Sequence, residues 1–424
     1  MTKRLRILLA VLAAALISSI AIGAYDQPRK ETAKSKDDLY AQVELFADAI
    51  SVIRSGYVDE VESKKLIHGA LRGMLGSLDD FSEFMEPDEF NEMQMEAKGE
   101  FGGIGIEVGM RDGVLTVIAP IAGTPAEEAG IKPGDRIVRI NGKSTKDMTL
   151  DESVKTMRGE PGTPIALTIW REKDEKAVDL AIKRDIIKIH SIKNAVILED
   201  GIGYVKIAEF QENTPRDLET ALKKLEAGGM NALILDLRNN PGGLLETAVE
   251  VSEKFLPKDT PIVSIKGRAA EQNTVFRSSG KLLHPDYPVV ILVNEGSASA
   301  SEVVGGALQD NKRAIIMGMK TFGKGSVQTV IPLRDGSALR LTTASYFTPG
   351  GRMIRNQGVI PDVTVEWEDA RDEAEHTEAG AIFEKAEKGP KTGKTVPGED
   401  KVVYDSQLKR AVDLVKALKI YRKQ

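Results

Sequence analysis

The chain has 424 residues, 41% hydrophobic and 29% charged, with a formal net charge of −6 from 58 basic and 64 acidic residues. That length supplies two or three domains, because single cores stop growing at roughly 250–300 residues. The mixed charge offers no basic field for nucleic acid, and the absence of cysteine excludes thiol catalysis, thiolate metal sites, disulfides and a cysteine-linked lipid anchor.

Lys3, Arg4 and Arg6 precede an uncharged run over 7–25, and Ala21-Ile22-Gly23-Ala24 offers small residues for cleavage. This plan predicts a signal peptide over 1–24 and export to the periplasm or cell envelope. Left uncleaved, the run approaches the ~18–20 residues that span a bilayer and would tether the protein. Residues 25–98 read as a helical region. Its first helix places Leu39, Val43, Phe46, Ile50 and Ile53 on one narrow stripe, and a second covers 64–75. The next stretch, 78–95, is acidic and reads as short helices or loops.

Residues 99–183 become rich in glycine and in short alternating runs, at 104–108, 114–118 and 165–170, with a hairpin signal at Asn141-Gly142. The words GGIGI, TPAEEAGIKPGDRIVRING and RGEPGTPIALTIWR resemble a PDZ domain of the bacterial, circularly permuted kind. In such a domain a peptide adds as a strand while a glycine loop turns its N–H groups on the terminal carboxylate. Here that loop is Gly102, Gly103, Ile104, Gly105 and Ile106.

From 184 to 368 the pattern is α/β. Apolar strands at 203–207, 231–237, 289–293 and 314–317 alternate with helices, the first opened by Thr214 and Pro215. Parallel strands place functional loops at their carboxyl ends, so the Gly242-Gly243 loop and the 297–301 turn share one rim. A further strand is expected at 337–347. Residues 369–400 are a polar linker, and 401–424 hold a last helix with Leu408, Ala411, Val412, Val415 and Leu418 on one side. The two terminal helices predict homo-oligomer contacts.

A serine hydroxyl needs a base to act as nucleophile. Four histidines occur in unrelated contexts; only His284 precedes the rim, and nothing orients it. A metal site or cofactor is not expected. Lysine can serve if burial brings its pKa down from ~10.4 to about neutrality. Lys324, between two glycines and with no acidic neighbour in the segment, suits this, and Gln328 would share its face if the segment were extended. By spacing alone Ser297, Ser299 and Ser301 are rival nucleophiles, and Ser299-x-x-Glu302 also has the form of a helix-capping box.

The segments DLRNNPGG, NEGSASASEVVGGALQ, KTFGKGSVQ and GVIPDV are similar to those of the C-terminal processing peptidases, or tail-specific proteases. The likeness covers 37–420. It implies a multidomain α/β protein with an N-terminal helical region, an inserted permuted PDZ domain, a crotonase-like protease core and a C-terminal helix. By position it implies Ser299 as nucleophile, Lys324 as base and Gln328 as orienting residue. It further implies an oxyanion hole from the N–H groups of Gly243 and Ala300, with Arg158 coupling the PDZ domain to the site. The implied activity is an exported serine endopeptidase that binds the C-terminal tails of exported or envelope proteins, and delivery by a separate adaptor protein stays open. The alternatives are a catalytically inactive PDZ scaffold and, less compatible with the PDZ domain, a crotonase-type acyl-CoA enzyme.

Overall fold

The computed structural model describes residues 39–367 and 404–421, except 112, 172–175, 270, 272, 282, 283 and 285. The expected signal segment and the whole of the expected linker lie outside the described residues. The chain divides into two units, one ending at Phe84 and one beginning at Met85. In the first, α1 (39–56) and α2 (Ser63–Gly76) lead to β1 (Glu83–Met85). The α1 stripe stays exposed at Leu39, Val43, Phe46 and Ile53, whereas α2 buries His68 against the Phe84 ring at 4.8 Å. Among the described residues no helix is long and apolar enough to cross a membrane.

The second unit opens with α3 (Pro87–Ala97), started by a Glu86–Glu89 capping box and Pro87 in its first turn. The next strand, β2 (Glu100–Gly103), pairs antiparallel with β9 (Asp185–Lys188), so the chain enters and leaves the PDZ region on one ribbon. Between them β3 (Ile106–Arg111), β4 (Val114–Pro120), β5 (Arg136–Ile140), β7 (Pro164–Arg171) and β8 (Lys176–Lys183) form a sheet in that order, with β6 (Lys143–Ser144) on β5. Two helices complete the domain, α4 (Pro125–Glu128) and α5 (Leu150–Met157). Their core gathers Ile104, Leu115, Ile137, Ile140, Leu167 and Ile169. The run expected at 104–108 begins later as a strand, because Gly105 at φ +78° turns the chain there.

The larger part is a six-stranded sheet in the order β10 (Ile192–Ile197), β11 (Ile202–Ile207), β12 (Ala232–Asp236), β15 (Val289–Val293), β16 (Ile315–Gly318) and β19 (Val363–Thr364). All its pairings are parallel except β10 with β11. Its two central strands are buried on both faces, as their unbroken apolar runs require. Leu233 and Leu235 of β12 face the cluster built by α6 (Thr214–Ala227), α7 (Leu245–Glu253) and α8 (Ala300–Asp310), while Ala232 and Ile234 face the other side.

That other side is covered by α9 (Ser406–Tyr421), through Leu408, Ala411, Val412 and Val415. The stripe expected to be available for homo-oligomer contact is therefore seated on the chain's own sheet. A second, antiparallel sheet runs β17 (Ser326–Pro332), β18 (Ala338–Phe347), β13 (Pro261–Gly267), β14 (Thr274–Arg277). Only β18 of these four has a run that reads as a strand on its own.

Candidate active site

Three chain segments meet at the carboxyl ends of β12 and β15. After β12 come Asn239, Asn240, Pro241, Gly242 and Gly243; after β15 comes the 294–299 turn into α8; after β16 comes the 319–325 loop. The shared rim follows from β12 and β15 being parallel neighbours. Side-chain amides fasten the first two segments. Asn294 Oδ1 accepts the Asn239 N–H at 2.8 Å, and Asn294 Nδ2 donates to Asn239 Oδ1 at 2.9 Å. The Ala298 N–H donates to the Asn240 carbonyl at 3.0 Å.

Burial and hydrogen bonding separate the three serines. Ser297 is buried and donates to the Leu237 carbonyl at 2.8 Å; Ser301 is buried and donates to the Asn240 carbonyl at 3.0 Å. Both hydroxyls are structural ties. Ser299 is half-buried and sits at the cap of α8 with φ 53° and ψ −112°. A left-handed φ on a β-substituted residue costs on the order of 1–3 kcal/mol and concentrates at functional sites. The capping-box pattern expected with Glu302 is present, but the Ser299 hydroxyl makes no cap hydrogen bond, and the Glu302 N–H goes to the Ser299 carbonyl at 2.9 Å. The other half of the pattern is a bond from the Ser299 N–H to Glu302 Oε2 at 2.9 Å.

Gly242 and Gly243 have positive φ values of 109° and 138°. A Cβ on Gly242 would lie 2.8 Å from the Ser299 Cβ and 3.0 Å from the Ala300 nitrogen, so this glycine lets the loop touch the serine turn. A Cβ on Gly243 would overlap the Phe210 carbonyl oxygen at 2.1 Å. Phe210 holds the loop by donating its N–H to the Gly242 carbonyl (2.7 Å) and accepting the Leu244 N–H (2.9 Å). The Gly242 N–H is taken by Asn240 Oδ1 at 2.9 Å. The Gly243 and Ala300 N–H groups, by contrast, have no hydrogen-bond partner among the described residues. Backbone donors left unused in folded protein are uncommon and call for a ligand or water.

Lys324 is half-buried in the third segment. Its flanking glycines permit close approach of the 354–356 turn: a Cβ on Gly325 would overlap the Arg355 nitrogen at 2.0 Å, and one on Gly323 would press Asn356 at 3.2 Å. Two features depart from the sequence reading. Lys324 precedes β17, and a bulge between Val327 and Gln328 breaks the simple alternation that was to place Lys324 and Gln328 on one face. The loop also has an acidic neighbour, brought by the fold rather than the local sequence. Glu302 accepts from Thr321 Oγ1 (2.5 Å) and from the Gly323 N–H (2.7 Å), and takes the Lys324 N–H as well.

Gln328 Nε2 donates to Thr342 Oγ1 at 2.8 Å, leaving Oε1 as a buried acceptor without a partner among the described residues. His284 is engaged elsewhere, with Nδ1 2.7 Å from Glu226 and Nε2 3.1 Å from Glu219, so neither nitrogen is available as a base.

In the PDZ domain, Gly102 and Gly103 are committed to β2, while Ile104 and Gly105 form the turn before β3. Their carbonyls accept the Ala126 and Ile121 N–H groups, both at 2.9 Å, and their own N–H groups have no partner among the described residues. Among the described residues the next strand, β3, pairs only with β4 and leaves one edge open. Arg158 follows α5 and donates to Glu92 (2.8 Å) and Glu96 (2.9 Å) of α3, with its guanidinium 5.1 Å from the Phe101 ring centre. At the end of α3 the Ala97 carbonyl accepts the Glu212 N–H at 3.0 Å, two residues beyond Phe210. Arg158 therefore stands at one end of a bonded route to the Gly242-Gly243 loop.

Sequence reasoning missed the residues that hold these loops. Arg238, directly before the Asn239–Gly243 segment, is buried between Asp236 (2.7 Å) and Asp405 (2.9 Å). Nothing in the local pattern links Asp405 to that loop. Glu302 was legible only as a capping residue.

Residues 201–365 match peptidase family S41, residues 116–171 the PDZ domain, and residues 15–89 the activating protease CtpB N-terminal domain. A carboxy-terminal-processing protease of Bartonella bacilliformis is 46% identical over 341 residues, covering 79% of this chain and 77% of the relative. The carboxy-terminal processing protease CtpA of Bacillus subtilis is 37% identical over 322 residues, covering 76% of this chain and 68% of the relative. Among solved structures, a photosystem II D1 C-terminal processing protease is 31% identical with a TM-score of 0.45, covering 76% of this chain and 92% of that one.

Proposed function

This chain belongs to peptidase family S41, the carboxy-terminal processing serine proteases, and on that premise we propose that Ser299 is the nucleophile and Lys324 its general base. The observation that carries the proposal is that the Gly243 and Ala300 N–H groups have no partner among the described residues, on the two segments that meet at the one rim serine whose hydroxyl is not tied into the structure as those of Ser297 and Ser301 are. Neutral Lys324 takes the Ser299 hydroxyl proton as the oxygen bonds to a peptide carbonyl carbon. The carbonyl oxygen becomes an oxyanion between the Gly243 and Ala300 N–H groups, where donors fixed in advance stabilise the developing charge. Collapse of this intermediate breaks the C–N bond, and the Lys324 ammonium protonates the leaving amine. Water, deprotonated by Lys324, then hydrolyses the acyl-enzyme. The free Gln328 Oε1 supplies an acceptor for orienting the amine.

Upstream, the Ile104 and Gly105 N–H groups receive the carboxylate of a substrate tail, and the tail adds as a strand to the open edge of β3. Arg158 passes occupancy to the core loop through α3 and Phe210. The N-terminal charge and apolar pattern support export to the periplasm or cell envelope, where the tails of exported proteins are the substrates. The exposed α1 stripe supports homo-oligomer contact.

The test is cleavage of an unfolded protein by Ser299→Ala, Lys324→Ala and Gln328→Ala variants. The first two are expected to lose roughly 10⁴-fold or more in kcat and the third less. Undiminished cleavage by the lysine variant would rule out the Ser–Lys mechanism.

A further inference from the structure

Glu302 is fully buried on the first turn of α8, and one carboxylate spans the two halves of the site. Its Oε2 accepts the Ser299 N–H at 2.9 Å; its Oε1 accepts the Gly323 N–H at 2.7 Å and the Thr321 hydroxyl at 2.5 Å. The Lys324 N–H is a fourth donor to the same carboxylate. The Thr321 oxygen already accepts the Val359 N–H at 2.7 Å, which directs its own proton to Glu302. Each of these four partners of the carboxylate is thus a donor, a set that suits the ionised form.

A capping residue needs only the Ser299 side of this arrangement. The Thr321–Lys324 side has no capping purpose, because those groups belong to a loop on the far side of β16. Burial drives the Glu302 carboxyl above its ordinary range, and the Thr321, Gly323, Ser299 and Lys324 donors pull it only part of the way back. A group raised in this way contributes stability below the usual carboxylate range and loses it as pH rises through the raised value.

We infer that Glu302 is a positioning residue that fixes the Ser299 backbone and the Lys324 backbone to one rigid point, so that nucleophile and base are held in register. The inference rests on the Ser299–Lys324 reading given above. A carboxamide at this position has one acceptor face and one donor face. It can keep the Ser299 N–H or the 321–324 donors, but not both, so Glu302→Gln releases one half of the site without changing side-chain volume. Misplacement of reacting groups by about 1 Å costs on the order of 10²-fold.

The experiment compares parent, Glu302→Gln and Lys324→Ala in the full chain on a peptide substrate. It reads kcat, KM, the single-turnover acylation rate and the thermal midpoint. For Glu302→Gln, kcat and acylation are expected to fall about 10–100-fold, with KM within about twofold and the variant still fully folded at the assay temperature. Parent kcat in Glu302→Gln overturns the inference, as does a fall in rate matched by an equal fall in the folded fraction. Should Glu302→Gln fail to fold, Thr321→Val decides. It keeps the carboxylate but removes one of its ties to the loop, and a several-fold fall in acylation is expected; the parent rate overturns the inference. An active Lys324→Ala variant removes the Ser–Lys reading itself, whereas inactive Lys324→Ala beside fully active Glu302→Gln removes only the role of Glu302.

Discussion

Two glycine-bearing loops leave backbone N–H groups without a partner among the described residues, and they stand on different foundations. In the PDZ domain the donors are consecutive, Ile104 and Gly105, at the start of an edge strand. The ribbon beneath them is joined to α3 by Arg158, whose ion pairs with Glu92 and Glu96 are about one-third to one-half exposed. In the core the donors come from two segments, Gly243 after β12 and Ala300 after β15. Their foundation is the buried Asp236–Arg238–Asp405 network, in which Tyr204 also donates to Asp236 at 2.7 Å. A loop proposed to capture tails can sit on an adjustable support. A site that must meet a transition state needs a fixed one.

The largest expected effect breaks the core loop. In Gly243→Ala the new methyl group would overlap the Phe210 carbonyl at 2.1 Å, displacing the Gly243 N–H. If that N–H is an oxyanion donor, as proposed, its loss lowers kcat by about 10²–10³-fold, and steady-state kinetics should show that fall with KM largely kept. Next is the foundation itself. Asp405 accepts two bonds from Arg238 Nη1 at 2.9 Å and the Leu408 N–H at the start of α9 at 2.8 Å. Asp405→Ala leaves a buried guanidinium short of a partner, so urea unfolding should show a loss of about 3–5 kcal/mol.

The same kind of substitution in the PDZ loop sharpens the contrast. A Cβ on Gly105 would lie 2.4 Å from Thr124, so Gly105→Ala disturbs the turn proposed to hold the tail carboxylate. Tail-peptide affinity by calorimetry should fall about tenfold, some 1.4 kcal/mol, while cleavage of a tail-blocked short peptide stays at the parent rate. The smallest effect on stability is at Arg158. Partly exposed pairs contribute roughly 0–1 kcal/mol, so Arg158→Ala should unfold within that range of the parent. If Arg158 couples the loops, that variant binds tail peptide normally yet no longer speeds up when it does. Normal activation would remove the coupling role.

The same contrast explains what could be read from the sequence. The PDZ turn is local, and its glycines stand next to the residues they serve. The parallel strands were legible as unbroken apolar runs, because burial on both faces removes alternation. The helix over 406–421 was legible as a stripe, but not its destination: an apolar face looks the same whether it meets a partner or its own sheet. β13, β14 and β17 were not legible, since their partly exposed residues lack a clean period. Ser299, Ser297 and Ser301 are equivalent by spacing. Carbonyls supplied by Leu237 and Asn240, in the segment after β12, distinguish them. The Glu302 contacts with Thr321, Gly323 and Lys324 likewise exist only once α8 and the loop after β16 are side by side.

The most direct test of the central claim is acylation by a serine-directed reagent, with the modified residue located by mass spectrometry in parent and Lys324→Ala proteins. The account predicts a single label on Ser299, none on buried Ser297 or Ser301, and a rate at least 10³-fold lower without the lysine. Labelling of another residue, or of Ser299 at an undiminished rate in Lys324→Ala, would contradict it.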